Sequence, residues 1–240
     1  MSNLDKLKTL IPMDEIEQEA QQQIYALLGM DFVKVLAIMP DVHMGYLMPI
    51  GGVGLFDNVI SPFCVGYDIG CGMCHLATEI PYHTIHPNRE TIYNELLSKI
   101  PVGFNGHSAR NKRANEYKTF QSAIKDAELD EKVNAKLNEQ LGTLGSGNHF
   151  IELGMNRQGN LAITIHSGSR NIGHSIATAY IKLAKENDIE LGNGFLYLNS
   201  VLGQAYLEDM NFALEYALEN RKHMLNNICS VLNIPLGRIQ

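Results

Sequence analysis

The stretch LGSGNHFIELGMNRQGNLAITIHSGSRNIGH, residues 144–174, decides the fold. HFIELGM (149–155) and LAITI (161–165) are short apolar runs separated by the turn RQGN, so they read as two strands. A glycine-serine loop leads into the first strand. A small-residue loop leaves the second and passes through Arg170 into a helix over 171–187. Strand residues alternate faces, so His149 and Ile151 share one face and Glu152 takes the other, unless a bulge intervenes. Further along, 200–232 is the longest helix candidate, with Leu202, Tyr206, Met210, Ala213, Ala217, Met224 and Ile228 near one face. Upstream, 130–141 reads as a helix stopping at Gly142, and PNRETIYNELLSKI (87–100) as a helix with proline at its start. The glycine-dense segment from Pro40 to Met73 reads as strands and tight loops. VKVLAIM (33–39) reads as a strand ended by Pro40, and Asp14 followed by Glu17 marks a helix over 14–28. Strands and helices interleave without a strict βαβ rhythm, which predicts an α+β class with a mixed sheet.

Composition sets the outer limits. At ~150 residues per domain, 240 residues make one large domain or two merged ones. With 45% hydrophobic and 19% charged residues the chain can bury a core, which excludes wholesale disorder. No apolar run approaches the ~20 residues of a membrane span. The first twenty residues turn acidic where an export signal would turn apolar. Four cysteines are too few for a disulfide scaffold, so reduced thiols and a cytoplasmic location are expected. The net charge of −7 sits in one place: residues 186–220 hold seven acids and no lysine or arginine. Elsewhere the charges balance, and HSARNKRANEYK (107–118) forms a candidate basic patch.

Four glycine-framed clusters carry residues suited to chemistry. In VGYDIGCGMCH (65–75), Asp68 and Cys71 stand three apart among glycines, so a carboxylate and a thiolate can converge. Such a pair suits Zn²⁺ or Mn²⁺, and a thiolate can bridge two ions. The competing reading is a buried cysteine beside a turn aspartate. The same segment matches C-x-x-C-H, the signature of c-type haem attachment, but the context that chemistry requires is missing. Cys71 and Cys74 as a redox pair, or joined to Cys64 around zinc, are further readings, and the redox one lacks a thioredoxin-like setting. In 141–154 a glycine-serine loop delivers Asn148 and His149 to a strand start, with Glu152 three residues on. In 162–175 an apolar strand ends at His166 beside a helix start, and Arg170 is suited to holding a phosphate bidentately. In 39–53, Asp41 and His43 follow a strand as a ligand pair or as part of a structural turn.

PDVHMGYLMPIGGV, VGYDIGCGM, LGSGNHFIE and HSGSRNIGH, in this order, closely resemble the RtcB family of GTP-dependent RNA ligases. The resemblance covers essentially the whole chain. It implies a mixed α and β fold particular to the family. It also implies an enzyme that joins RNA 3′-phosphate or 2′,3′-cyclic phosphate ends to 5′-hydroxyl ends, in tRNA splicing and RNA repair. The implied cofactors are GTP and two manganese ions. Carried over by motif, Asp68 would bind the first ion, Cys71 would bridge both, His149 would bind the first and His166 the second. Asn148 and Glu152 would contact the guanylate, within a nucleotide-lining segment Asn148, His149, Phe150, Ile151 and Glu152. Arg170 and Asp41 would lie near phosphate or RNA.

Family members are longer, and their C-terminal part supplies another manganese histidine, further nucleotide contacts and the guanylylated histidine. After His174 the sequence has only His223, in the context ENRKHMLNN, which matches neither motif. The expectation is one RtcB-like catalytic domain over 1–240, the N-terminal portion of such a ligase, completed by a further segment or a second chain. The alternative is a metal- and nucleotide- or RNA-binding module without ligase activity of its own.

Overall fold

A computed structural model of the chain describes residues 3–107, 117–186, 191 and 194–234. In chain order the elements are β1 (Leu7–Thr9), α1 (Gln18–Leu28), β2 (Val33–His43), β3 (Ile50–Phe56), β4 (Val59–Ile60) and α2 (Pro62–Val65). They continue with β5 (Gly72–Pro81), α3 (Tyr82–Ile85), α4 (Arg89–Lys99), α5 (Ala127–Gln140), β6 (Phe150–Met155) and β7 (Asn160–Ser167). The last are α6 (Arg170–Glu186), β8 (Leu196–Tyr197) and α7 (Val201–Val231). Helices and sheets are mixed, as the sequence predicts. The described residues fall into two compact units: those up to Tyr67 with those in 177–208, and Asp68–Ile176 with those from Asp209 onward.

In the first unit β2 is the middle strand of a three-stranded sheet, parallel to β1 and antiparallel to β3. Helix α1 buries Ala20, Ile24, Leu27 and Leu28, an i, i+4, i+7, i+8 stripe. These pack with Val33, Leu36 and Ile38 of β2 in one apolar cluster. Two local expectations are corrected here. Helix α1 begins at Gln18 rather than 14, because Met13–Glu15 form a separate 3-10 turn. Between them Ile16 is extended and buried in the core, which breaks the helical path. The strand also runs through Pro40 to His43. The pairing register shifts between Ile38 and His43, and at such an irregularity the missing proline N–H costs no ladder bond.

The second unit is built on an antiparallel sheet in the order β5-β7-β6. Leu161, Ile163 and Ile165 of β7 turn to one face and cluster with Met224, Leu225, Ile228 and Cys229 of α7. Ile151, Leu153, Cys74, Leu76 and Ile80 join them from the flanking strands. Each fully buried Leu or Ile stabilises by ~1.5–3 kcal/mol, so this face anchors the sheet. The opposite face carries Met73, His166 and Phe150 in one row and His75, Thr164 and Glu152 in the next. Helix α5 starts one turn earlier than predicted. Asp126 caps it, accepting from the backbone N–H groups of Glu128 and Leu129.

Candidate metal centre

Asp68, Cys71, His149 and His166 all lie in the second unit. Asp68 and Cys71 belong to a tight turn leading into β5, closed by the Cys71 N–H donating to the Asp68 carbonyl at 3.0 Å. Ile69, fully buried, pins this turn to the core. Asp68 in turn rests on the loop after β7: a Cβ at Gly168 would fall inside the Asp68 carboxylate. The glycine of HSGSR therefore makes room for the acid of DIGC.

His149 stands just before β6, its side chain 5% exposed. Its Nε2 lies 2.8 Å from Asp68 Oδ2 and 3.6 Å from Cys71 Sγ. Its Nδ1 donates to the Leu144 carbonyl at 3.0 Å. A metal-binding histidine typically spends its second ring N–H in this way, which fixes the tautomer and aims the other nitrogen. Gly145, at φ +95°, gives the ring its space. A side chain there would strike the guanidinium of Arg170 and His149 Nδ1. His166, near the end of β7, places Nε2 at 3.0 Å from Cys71 Sγ. The thiol thus has one imidazole on either side, with the two rings 5.4 Å apart.

The electrostatics fit a cation. Burial pushes the Asp68 carboxyl up, but the hydrogen bond and charge of His149, the Cys71 hydrogen bond and the Arg170 charge together hold it below its ordinary value. His149 is raised to about 9 by its hydrogen bonds to Asp68 and Cys71, against the opposing effect of burial. A proton and a divalent ion would compete for the space these groups enclose. One ligand atom from each of Asp68, Cys71 and His149 lies within 4.8 Å of the others. A carboxylate, a thiolate and an imidazole suit Zn²⁺ or Mn²⁺ in donor chemistry.

The remaining predicted residues are spread more widely. Asn148 is exposed, Phe150 and Glu152 face the open side of the sheet, and Ile151 packs into the core on the other side. The Arg170 guanidinium is occupied: Nε donates to Thr143 Oγ1 at 3.2 Å and Nη2 to the Gly103 carbonyl at 2.9 Å. Burial lowers its pKa, opposed by Asp68 and Tyr216. Arg170 itself sits at φ +60°, a left-handed backbone that a non-glycine residue seldom adopts. His174 is exposed on α6. Asp41 and His43 lie in the first unit, where His43 Nδ1 is 2.8 Å from the Asp41 carbonyl oxygen. The basic stretch falls outside the described residues over 108–116, and Lys118 beyond it is paired with Glu215. Sequence reasoning missed Leu144 and Gly168, which act through a backbone carbonyl and a missing side chain. The repeated glycines of LGSG and HSGS were the available signal.

The family model described as tRNA-splicing ligase RtcB matches residues 23–238. The chain belongs to the RtcB family. It is 33% identical over 237 residues to the RNA-splicing ligase RtcB of Escherichia coli (strain K12), covering 90% of this chain and 58% of that protein. It is 27% identical over 255 residues to the tRNA-splicing ligase RtcB of Pyrobaculum aerophilum, with 85% and 53% coverage. For the tRNA-splicing ligase RtcB of Archaeoglobus fulgidus the identity is 28% over 270 residues, with 90% and 55% coverage. The chain thus spans a little over half the length of these curated relatives. In this RtcB-family chain Cys71 and Cys74 part company: Cys71 is exposed before β5, while Cys74 packs against the core of the second unit. Cys64 sits with the core of the first unit, where burial pushes its thiol up to about 11 against a lowering hydrogen bond from Ser61. No helix among the described residues is long and apolar enough to cross a membrane.

Proposed function

We propose that the protein is an RNA ligase that uses GTP and manganese to join RNA 3′-phosphate or 2′,3′-cyclic phosphate ends to 5′-hydroxyl ends, in tRNA splicing or RNA repair. The observation that carries this reading is the meeting of Asp68, Cys71 and His149 around one position, with His166 on the other side of Cys71. In this reading Asp68, Cys71 and His149 hold a first Mn²⁺, and Cys71 with His166 offers two ligands to a second. Bound manganese would supply Lewis-acid polarisation of phosphate oxygens and neutralise charge that develops on them. Asp68 and His149 are already oriented by Gly168 and by the Leu144 carbonyl, so little rearrangement is needed to receive an ion. Phe150 and Glu152, on the open face beside His166, are the proposed nucleotide contacts, together with Asn148. Among these Glu152 can accept from the donor edge of a guanine or from a ribose hydroxyl.

The chain's own part in this activity is tested by binding. Retention of labelled GTP is measured by equilibrium dialysis with and without MnCl₂. The reading expects Mn²⁺ to strengthen GTP binding, Cys71→Ala to abolish that gain and Glu152→Ala to weaken binding at saturating Mn²⁺. GTP binding indifferent to Mn²⁺ and to both substitutions contradicts it. The RNA assignment is tested in the same format, with an oligonucleotide ending in a 3′-phosphate competing against its 3′-hydroxyl counterpart.

A further inference from the structure

We propose that Asn220 and Arg221, adjacent on α7, are positioning residues for the metal centre, tying together the three chain segments that carry its ligands. The inference rests on the metal reading above and extends it to residues that touch neither ion nor substrate.

Asn220 lies on the apolar stripe of α7, between Ala217 and Met224, and is fully buried. A buried amide persists where its polar atoms have partners, and here both ends do. Oδ1 accepts from the backbone N–H groups of Gly142 at 2.7 Å and Thr143 at 3.1 Å. Nδ2 donates to the Thr143 carbonyl at 3.1 Å, the Gly168 carbonyl at 3.1 Å and Ser167 Oγ at 3.3 Å. Next to it, Arg221 Nη1 donates to the carbonyls of Gly70 and Ser167, both at 2.8 Å.

These partners are the ligand-bearing segments themselves. Gly70 lies between Asp68 and Cys71. Gly142 and Thr143 open the loop that ends at His149. Ser167 and Gly168 follow His166, and Gly168 also backs the Asp68 carboxylate. The directions of the hydrogen bonds complete a chain to the ligand ring. Asn220 Nδ2 donates to Ser167 Oγ, which donates to the Leu144 carbonyl at 2.8 Å, the same oxygen that receives the His149 Nδ1 proton. Two consecutive helical residues therefore fix segments 53, 77 and 151 residues distant in sequence. Groups that orient metal ligands from behind typically contribute 10–100-fold in affinity.

The test uses Co²⁺ as a spectroscopic probe, because its visible absorption reports the geometry of the bound ion and the presence of a thiolate ligand. Co²⁺ affinity, its spectrum and thermal unfolding in chelator are measured for the wild-type chain, Arg221→Met, Arg221→Lys, Asn220→Asp and, as a core control, Val133→Ala. Val133 is buried in α5 and hydrogen-bonds to none of these segments through its side chain. The proposal expects Arg221→Met and Asn220→Asp to weaken Co²⁺ binding by about 10–100-fold with an altered spectrum. Arg221→Lys should recover part of both. Val133→Ala should lower the unfolding temperature while leaving affinity within about twofold and the spectrum unchanged. If Asn220→Asp does not fold, the two Arg221 variants decide. Arg221→Met with wild-type affinity and spectrum, or a loss in Val133→Ala equal to that in Arg221→Met, overturns the proposal and leaves the metal reading standing. A wild-type chain that binds no Co²⁺ overturns both.

Discussion

Segments 39–53 and 65–75 resemble each other in sequence and differ in what the fold does with them. Each sets an aspartate and a second donor among glycines. In the first unit His43 turns Nδ1 to the carbonyl oxygen of Asp41, two residues away, and both residues are exposed. In the second unit Asp68 and Cys71 meet His149 and His166, which lie 81 and 95 residues away from Asp68 and Cys71 respectively. In the first segment His43 meets a nearby backbone carbonyl, whereas the second cluster draws donors from separate segments held by a sheet and a helix. Among the described residues the grouping of three donors forms in the second unit. Donor chemistry in a motif is thus a weak guide until a distant element supplies the third ligand.

His149 separates the two segments most sharply. His149→Ala should lower Mn²⁺ affinity by more than about 100-fold, above the 10–100-fold typical of residues that only support a ligand. His43→Ala should leave affinity within about twofold. Isothermal titration of both variants checks the pair, and an equal loss would place the site differently.

The next effect tests the role of backbone space. Gly168→Ala adds one methyl group where the Asp68 carboxylate lies. It should cost about 10–100-fold in Mn²⁺ affinity although no ligand residue is replaced. Unchanged affinity would show that Asp68 is free to move aside.

A pH series sharpens the contrast in the metal-free chain. The ordinary histidine pKa is ~6.5, and that of His149 is raised to about 9 by Asp68 and Cys71. Its charged form therefore stabilises the fold in full below pH ~6.5, and this contribution is lost as pH rises through about 9. For Asp68, held below its ordinary value, the contribution is present at higher pH and lost as pH falls through the lowered pKa. Urea unfolding in chelator should show the gap between wild type and His149→Gln largest near pH 6 and shrinking toward pH 9. A gap that widens over this range contradicts the ion pair. Metal binding should run the other way, weakening as pH falls and the proton competes more strongly.

The smallest effect belongs to the first unit's surface. Lys34 and Asp57 form an exposed pair at 2.9 Å. Asp57→Asn should cost less than about 1 kcal/mol in unfolding free energy and leave Mn²⁺ binding unchanged.

Much of this was legible from local pattern. The alternation in 149–155 and 161–165 specifies the hairpin β6–β7, and the apolar stripe from Tyr206 to Ile228 specifies α7. In strand β5 Cys74, Leu76, Thr78 and Ile80 alternate with exposed neighbours, but the glycine cluster before it masks where the strand begins. Pro40 misled because a proline ends a regular strand but not an irregular one. Asp68, Cys71, His149 and His166 stand out as residue types in motifs, yet nothing local states that they converge. Their supports were least legible. Gly168 matters through the acid that rests on it, and Asn220 is visible only as one polar residue on an apolar stripe. Its partners exist once three distant loops have been assembled around it.

In the proposed manganese site the thiol is that of Cys71 alone, and Cys74 takes no part. Titration of MnCl₂ into Cys71→Ala and Cys74→Ala, beside the wild-type chain, separates a site on Cys71 alone from one built on the C-x-x-C pair. Cys71→Ala should lose most Mn²⁺ binding, and Cys74→Ala, whose side chain packs against the core, should bind as the wild type does. Equal losses in the two variants would contradict this assignment and point to a site built on both cysteines.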